Sequence, residues 1–342
     1  MSQIYLVTGG AGFIGSNFVD YIYNKYPDAK IIVLDLLTYA GNIEYFPTKK
    51  NTERFEFWYG DIKNISLVES LVSRVDFVVH FAAETHVTRS ISDNQSFFET
   101  DVIGTQVIAN AVLKYNKTVK KFIHISTSEV YGDASYPLMD ETHPLNPSSP
   151  YAAAKTGADR LVFSYVKTYN IPAVIVRPFN NYGSRQHLEK LIPRFITSMI
   201  LGDTLLVHGD GNASRDWVHV TDTCSAIDAI LLSPIEKVRG EVFNIATGMS
   251  YSILEIANKI TSLMKINAPN IHYGENRPGQ VCRHTGDAKK LQQTIGWKPK
   301  IAFEDGLKTT IEWYKVNQML WEKQMWLKEI SITLPDGQHV IH

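Results

Sequence analysis

The segment from Ile4 to Gly15 constrains the fold of this chain more than any other part of the sequence. A short apolar run, Ile4 to Val7, leads into a turn with glycines at positions 9, 10, 12 and 15, and a helix is expected to begin near Phe13. Between a strand and a helix, such a turn indicates a phosphate site. The glycines allow a pyrophosphate to approach closely, and the helix points free amide groups and its positive dipole end at the anion.

The turn therefore predicts a dinucleotide site with these cofactor-binding candidates: Gly9, Gly12, Phe13, Ile14 and Gly15. Asp35 ends the next apolar run, where a carboxylate accepts hydrogen bonds from the adenosine ribose and repels a 2′-phosphate. NAD is thus favoured over NADP, although a helix cap or turn residue is the other interpretation of Asp35. Asp61 and Ile62 are candidates for holding the adenine edge.

Apolar runs of strand length recur along the first half of the chain and alternate with helical stretches. They are Ile4 to Val7, Ile31 to Leu34, Phe77 to Phe81, Phe122 to Ile125 and Ala173 to Val176. This pattern is typical of a parallel sheet covered on both faces. We predict an α/β fold with a doubly wound, Rossmann-like parallel sheet and a smaller mixed α/β substrate-binding region. The boundaries expected are 1–180 for the NAD-binding domain with the catalytic helix, 181–330 mainly for substrate with some chain returning to the first domain, and 331–342 for a tail.

Composition limits the partners and the compartment. The 342 residues carry a net charge of -1 without a long run of Lys or Arg, which argues against nucleic acid or an anionic membrane as the main partner. Cys224 and Cys282 have no paired spacing and no His cluster around them, so we expect no disulfide framework, no metal site and a reducing, cytoplasmic location. We also expect no export signal and no membrane span.

A tyrosine and a lysine one helical turn apart indicate the chemistry. On a helix, the spacing of Tyr151 and Lys155 puts hydroxyl and ammonium on one face, where the cation is expected to lower a tyrosine pKa that is ordinarily about 10. Such a tyrosine takes a proton from a carbinol while hydride leaves the same carbon. Alone, the pair would be interpreted as a surface contact. Ser126 to Glu129 and the glycine turn favour an enzyme that oxidises an alcohol with a bound dinucleotide.

These runs together resemble the extended short-chain dehydrogenase/reductase family that modifies nucleotide sugars. The general resemblance lies in Thr8 to Gly15, Asp61, Phe81 to Ala83, Ser126 and Thr127, Tyr151 to Lys155, and Arg177 and Pro178. Within the family, further runs are similar to dTDP-glucose 4,6-dehydratases: Asp35 to Asn42, Ala82 to Val87, Glu129 to Gly132, Asn180 to Gly183 and Glu189 to Pro193. The resemblance implies that an NDP-hexose, dTDP-glucose or a related one, loses water to give the 4-keto-6-deoxy sugar.

The resemblance also implies a role for each catalytic candidate. Tyr151 removes the proton of the sugar 4-hydroxyl as NAD takes the C4 hydride, Thr127 hydrogen-bonds that hydroxyl, and Lys155 holds the nicotinamide ribose. The C4 ketone acidifies the C5 hydrogen, so Glu129 abstracts it, water leaves from C6, and the hydride returns to C6. NAD is then regenerated in each turnover.

Ser128 departs from the dTDP-glucose enzymes, in which an aspartic acid usually precedes the glutamate and protonates the leaving hydroxyl. Elimination can still proceed in two ways. Either Glu129 performs both proton transfers, or Ser128 relays a proton through water. The Thr-Ser-Glu order also resembles UDP-glucuronate decarboxylase, which is the alternative function together with an NDP-sugar 4-epimerase. A catalytically inactive nucleotide-sugar and NAD-binding scaffold is the non-enzyme alternative.

Further binding residues follow from the resemblance alone. For the cofactor they are Ala82, Ala83 and Thr100, with Tyr151 and Lys155. For the nucleotide-diphosphate sugar they are Thr85, His86, Asn180, Lys190, Leu191, His208, Arg215, Asn244, Arg277 and Gln280. A structural, hydrogen-bonded histidine is the other interpretation of His86, and a surface ion pair is the other interpretation of Arg215. Arg215 and Arg277 match positions that clamp phosphates, a role suited to a planar, permanently charged group.

The resemblance finally predicts a homodimer. Helices running roughly from Phe97 to Tyr115 and from Tyr151 to Tyr169 would pack against their copies as an isologous four-helix interface. Apolar side chains for this contact are Val102, Val107, Ile108, Leu161, Val162, Tyr165 and Val166.

Overall fold

The computed structural model describes residues 3–267, 269–274, 281–328, 331–333, 337 and 339–341. Its strands are β1 (Ile4–Thr8), β2 (Lys30–Asp35), β3 (Phe55–Tyr59), β4 (Phe77–His80), β5 (Lys121–Ile125), β6 (Ala173–Pro178), β7 (Asn180–Tyr182), β8 (Leu205–His208), β9 (Ser214–His219), β10 (Val242–Ile245), β11 (Ser250–Ser252), β12 (Ile271–Gly274), β13 (Arg283–His284), β14 (Ser331–Thr333) and β15 (His339–Ile341).

The helices cover both faces of the main sheet and build the second region. They are α1 (Phe13–Lys25), α2 (Ile65–Val72), α3 (Val87–Ser92), α4 (Asn94–Phe97), α5 (Thr105–Lys114), α6 (Pro150–Tyr169), α7 (Leu191–Leu201), α8 (Val220–Leu232), α9 (Ile235–Val238), α10 (Ile253–Met264), α11 (Lys289–Ile295), α12 (Phe303–Val316) and α13 (Gln318–Trp321). A π-helical segment, Phe98–Gly104, joins α4 to α5, and short 3-10 helices span Ile43–Tyr45, Ser128–Tyr131 and Glu322–Leu327.

Seven parallel strands form the main sheet in the order β10-β6-β5-β4-β1-β2-β3. The chain starts in the middle of the sheet at β1, builds one half outward to β3 and then the other half from β4 to β10, which is the doubly wound arrangement. The predicted Rossmann-like fold is confirmed, and all five predicted strands are present. Strands β3 and β10 were not predicted.

Two apolar clusters lie on the two faces of this sheet. One packs α1 and α8 against it through Phe18, Ile22, Ile227 and Ile230, and the other packs α2, α5 and α6 through Leu71, Val112 and Val162. Burial of both faces explains why the strand sequences are continuously apolar rather than alternating.

The second region is smaller and mixed. Strand β9 lies between β11 and β13 and also pairs with β7, and β8 pairs with β12. Its core joins α7, α10 and α12 through Phe195, Ile256, Ile260 and Leu307. Because β10 joins the main sheet and α8 packs on it, the chain crosses between the two regions more than once.

Among the described residues, no helix has both the length and the apolar character needed to span a bilayer.

Candidate active site

A cavity of about 500 Å³ lies at the carboxyl ends of the parallel strands, where β1, β2, β4, β5 and β6 run into loops. This is the position where open α/β sheets bind their ligands, and the volume is within the usual range for small-molecule sites. Most of the predicted site residues line it: Gly9, Gly12, Phe13, Ile14, Gly15, Asp35, Asp61, Ile62, Ala82, Ala83, Thr85, His86, Thr100, Thr127, Ser128, Glu129, Tyr151, Lys155, Asn180, Lys190, Leu191 and Arg215.

The glycine turn is shaped for a pyrophosphate. Gly9 has φ +70, and a Cβ on Gly15 would lie 2.2 Å from the Gly9 carbonyl oxygen, so side chains are excluded where the turn folds on itself. A Cβ on Gly12, by contrast, would approach only the Gly9 carbonyl oxygen, at 3.4 Å, and Gly12 lines the cavity. Gly12 is also the N-cap of α1 and offers no side-chain cap. The first-turn amides of α1 therefore remain available for an anion, as NAD requires.

Asp35 stands beside this turn at the end of β2. Its Oδ2 accepts a hydrogen bond from the Ala11 amide at 2.9 Å and its Oδ1 accepts one from the Leu37 amide at 2.8 Å. Burial raises the pKa of Asp35, and the two amides oppose that shift. The carboxylate is thus fixed on the cavity wall with remaining lone pairs for ribose hydroxyls. The residues present fit the adenosine half of NAD.

A short 3-10 helix after β5 carries the predicted proton-transfer groups. Thr127 is its N-cap, and its Oγ1 accepts a hydrogen bond from the Glu129 amide at 3.2 Å. The turn ends at Gly132, whose φ of +67 only glycine adopts readily, and a Cβ there would lie 1.9 Å from the Asn146 carbonyl oxygen. Thr127, Ser128 and Glu129 all line the cavity from this turn.

Tyr151 and Lys155 lie in the first turns of α6, which starts at Pro150 after the cap Ser149. The expectation that Lys155 lowers the pKa of Tyr151 is not met in this structure. Burial raises that pKa, the carboxylates of Asp101 and Glu129 raise it further, and a hydrogen bond with Thr127 lowers it. The Lys155 ammonium instead donates to the Ile125 carbonyl oxygen at 2.8 Å, and burial lowers its own pKa.

A charged cluster around Glu189 lines the cavity next to α3. The buried Glu189 accepts a hydrogen bond from Tyr39 at 3.1 Å and is 3.4 Å from Arg89 and 3.9 Å from His86. Lys190 donates to the Thr85 carbonyl oxygen at 3.1 Å. These contacts hold the predicted substrate residues Thr85, His86 and Lys190 together at one end of the cavity.

The structure does not bring Asn244 or His208 into the cavity wall. Asn244 is buried in β10, where its amide donates to the Met139 carbonyl oxygen at 2.9 Å and its Oδ1 accepts from Tyr131 at 2.8 Å, so its polar atoms are already occupied. His208 ends β8, paired with Gly274 of β12. Arg277 and Gln280 lie outside the described residues.

His284 is a neighbour of the site that the sequence did not indicate. It lies in β13, its Nδ1 is 4.0 Å from Oε1 of Glu129, and it is fully buried. A histidine more than 150 positions from Glu129 carries no local motif, so only the packing of β13 beside this loop in the folded chain reveals the contact.

Comparison with known proteins agrees with this geometry. The sequence profile of the GDP-mannose 4,6-dehydratase family matches residues 6–310. A low-salt glycan biosynthesis protein of Haloferax volcanii is 43% identical over 309 residues, which are 90% of this chain and 97% of that protein. The dTDP-glucose 4,6-dehydratase of Streptomyces niveus is 40% identical over 321 residues, 93% of this chain and 94% of the relative.

Solved structures agree as well. The dTDP-glucose 4,6-dehydratase of Streptomyces venezuelae, crystallised with NAD bound, superposes with a TM-score of 0.89 at 39% identity and covers 94% of this chain and 100% of that one. The predicted resemblance, the predicted class of NAD-dependent nucleotide-sugar 4,6-dehydratases and the predicted cofactor are confirmed. The chain belongs to the GDP-mannose 4,6-dehydratase family.

Proposed function

We propose that the protein uses NAD to convert dTDP-glucose, or a closely related nucleotide-activated hexose, to the 4-keto-6-deoxy sugar with loss of water. The observation that carries the proposal is that one cavity is lined by the glycine turn and Asp35, by Thr127, Glu129 and Tyr151, and by Arg215. A binding scaffold needs neither a phenol nor a carboxylate beside the reacting sugar. Identities of 40% to dTDP-glucose 4,6-dehydratases support the choice of nucleotide.

The cofactor would be held by the glycine turn and Asp35 at its adenosine half, and by Lys155 at its nicotinamide half. When bound, NAD supplies a positively charged acceptor for the C4 hydride and returns the hydride to C6. Tyr151, hydrogen-bonded to Thr127, receives the proton of the 4-hydroxyl. Burial raises the pKa of Tyr151 in this structure, and a positive charge beside the phenol would lower that pKa and favour its role as a base.

Elimination is assigned to Glu129, which takes the C5 proton once the C4 ketone has acidified it. The proton then leaves with the C6 hydroxyl as water. Arg215, on β9, lines the same cavity and is assigned to the diphosphate, for which its planar guanidinium is suited. Residues 1–180 thus serve mainly NAD and residues 181–330 mainly the nucleotide sugar.

Two further properties are part of the proposal. Exposed apolar side chains on the π-helical segment, Phe98 and Ile103, support a homodimer in which this segment and α6 pack against their copies. The free cysteines, buried Cys224 and exposed Cys282, support a reducing, cytoplasmic location.

The test is turnover of the purified protein with NAD and, separately, dTDP-glucose, UDP-glucose, GDP-mannose and UDP-glucuronate. We expect a 4-keto-6-deoxy product, detected by its ultraviolet absorbance in alkali, from dTDP-glucose at the highest rate and without net NADH. Stoichiometric NADH would contradict the proposal in favour of a simple dehydrogenase. Release of carbon dioxide from UDP-glucuronate would indicate a decarboxylase, inversion at C4 alone an epimerase, and binding without turnover a scaffold.

A further inference from the structure

His284 and Glu129 are joined through one short turn. Strand β13 places the His284 ring so that Nδ1 is 4.0 Å from Oε1 of Glu129 and Nε2 is 2.5 Å from the Gly132 carbonyl oxygen. Glu129 and Gly132 belong to the same 3-10 helix and its C-cap. The ring therefore contacts the backbone that positions Glu129 with one nitrogen and faces its carboxylate with the other.

The Gly132 contact fixes the tautomer. A carbonyl oxygen only accepts, so Nε2 must carry a hydrogen, and in the neutral ring Nδ1 then holds a lone pair. Among the described residues, Nδ1 has no hydrogen-bond partner although it is buried. A buried nitrogen without a partner is costly, on the order of 1–3 kcal/mol. A protonated Glu129 would give it one after the carboxyl moves about 1 Å closer than the 4.0 Å separation observed here.

We propose that His284 is a positioning residue acting through Glu129, its Nδ1 accepting a hydrogen bond from the carboxyl while Glu129 carries the proton taken from C5. This rests on the proposed dehydratase function. The C5–H bond breaks and its proton goes to Glu129, the C6–O bond breaks, and the same proton leaves on that oxygen as water. The elimination itself requires no other proton donor, and the proton that C5 regains after hydride returns to C6 comes from solvent.

The serine at position 128 explains why protonated Glu129 needs a hydrogen-bond acceptor. It is buried beside Glu129, and a serine hydroxyl is too weak an acid to protonate a leaving group. Glu129 must then hold the proton between the two transfers, and an acceptor at Nδ1 stabilises the protonated carboxyl without removing the proton.

Burial favours the neutral form of the His284 ring. Burial lowers the pKa of His284 and Arg215 lowers it further, whereas Glu129 and Asp133 raise it. A ring that is neutral near pH 7 can accept at Nδ1, as the proposal requires.

The strand that carries His284 is attached to the same loop by backbone contacts of its own. The Cys282 amide donates to Oδ1 of Asp133 at 2.7 Å, and the Met139 amide donates to the Thr285 carbonyl oxygen at 2.9 Å. These bonds do not involve the imidazole. A conservative change of His284 can therefore be made without detaching the strand.

Two matched variants separate the nitrogens. In His284→Gln, the amide can still donate to Gly132 but nothing replaces Nδ1, whereas in His284→Asn the shorter amide offers an oxygen toward Glu129 and loses the Gly132 contact. We expect His284→Gln to lower kcat and the rate of C5 deuterium exchange about tenfold to a hundredfold. The KM and the rate at which the substrate reduces bound NAD should be unchanged. His284→Asn should recover part of the loss. Wild-type kcat in His284→Gln, or an equal loss of NAD reduction, would overturn the proposal.

A second measurement needs no turnover. In protein labelled with ¹⁵N at histidine, ring nitrogen shifts give the titration of His284, assigned by its disappearance in His284→Gln. Glu129→Gln should lower the titration midpoint, because the carboxylate that stabilises the imidazolium is gone. An unchanged midpoint would show that the two groups do not interact and would reject the inference. If no nucleotide sugar were turned over, the proposed function would fail and this titration would decide the His284 contact separately.

Discussion

Ser128 and Glu129 are adjacent in sequence but differ in what they present to the cavity. Ser128 is buried, whereas the Glu129 side chain is 20% exposed and interacts with Arg215 and His284. The carboxylate is thus the member of the pair with both access to a ligand and charged neighbours. This difference leads to a prediction for each residue.

Glu129→Gln should block C5 deuterium exchange from solvent while still allowing bound NAD to be reduced, because the amide cannot accept the C5 proton and Tyr151 acts before it. A loss of at least a hundredfold in kcat is expected for removing a general base. Ser128→Ala should cost less than tenfold. Stopped-flow absorbance of the reduced cofactor and NMR of recovered substrate measure the two steps. Equal losses in the two variants would contradict the assignment of both proton transfers to Glu129.

Residue roles were predictable from sequence only where a local spacing fixes them. The Tyr151 and Lys155 spacing placed both side chains on the cavity, yet the direction of the Tyr151 pKa depends on burial and on Asp101, which is 50 positions away. Likewise, Asn244 was assigned to the substrate by position, but its hydrogen bonds to Tyr131 and to the Met139 backbone are fixed only by tertiary packing.

At the scale of elements, the π-helical segment Phe98–Gly104 is the unusual feature. π-helical segments are rare in proteins, and those that occur are often found at functional sites. This one carries Asp101, which is 0% exposed, accepts a hydrogen bond from the Glu84 amide through Oδ1 at 2.8 Å, and has no partner for Oδ2 among the described residues. Burial raises the pKa of Asp101 to about 7, and Lys155 opposes the shift.

Asp101 should make stability depend on pH. Its folded pKa lies above the unfolded value of about 3.9, so between pH 4 and 7 the folded chain binds more protons and the free energy of unfolding falls as the pH rises. Ionisation at pH 8 costs on the order of 4 kcal/mol. Asp101→Asn, which keeps the acceptor for Glu84, should flatten this decline in urea unfolding at pH 5 to 8.

The exposed Asp28→Asn serves as the control and should leave the pH dependence unchanged. A decline in Asp101→Asn as steep as in the wild type would show that other groups cause it.

The strands that the sequence missed have physical reasons. Strand β3, Phe55–Tyr59, lies at the edge of the sheet with Trp58 and Tyr59 exposed, so it lacks the continuous apolar character of the inner strands. Strand β10 is separated from β6 by a long stretch of chain that includes part of the second region, and it is only four residues long, Val242–Ile245. Its place at the other edge is set by pairing with β6, which no local pattern encodes.

At the scale of the whole molecule, one surface stands out next to the catalytic helix. Phe98 and Ile103 are 44% and 48% exposed, while Val102 between them packs on Gly157 of α6. Of the side chains expected at the dimer contact, Val107, Ile108, Val162 and Val166 are buried within the subunit, and Val102, Leu161 and Tyr165 remain partly exposed. The outward set is therefore smaller than the sequence indicated.

This surface predicts a twofold interface beside Tyr151, and charged side chains introduced on the surface should disrupt it. The wild type is expected to sediment as a homodimer at micromolar concentration, and Phe98→Glu with Ile103→Glu should shift it to a monomer, since two buried carboxylates per subunit would lack partners. Val316→Glu, at an apolar position at the end of α12 that is 73% exposed, should leave the dimer intact. A wild-type monomer with full activity would contradict the prediction, as would a double variant that still sediments as a dimer.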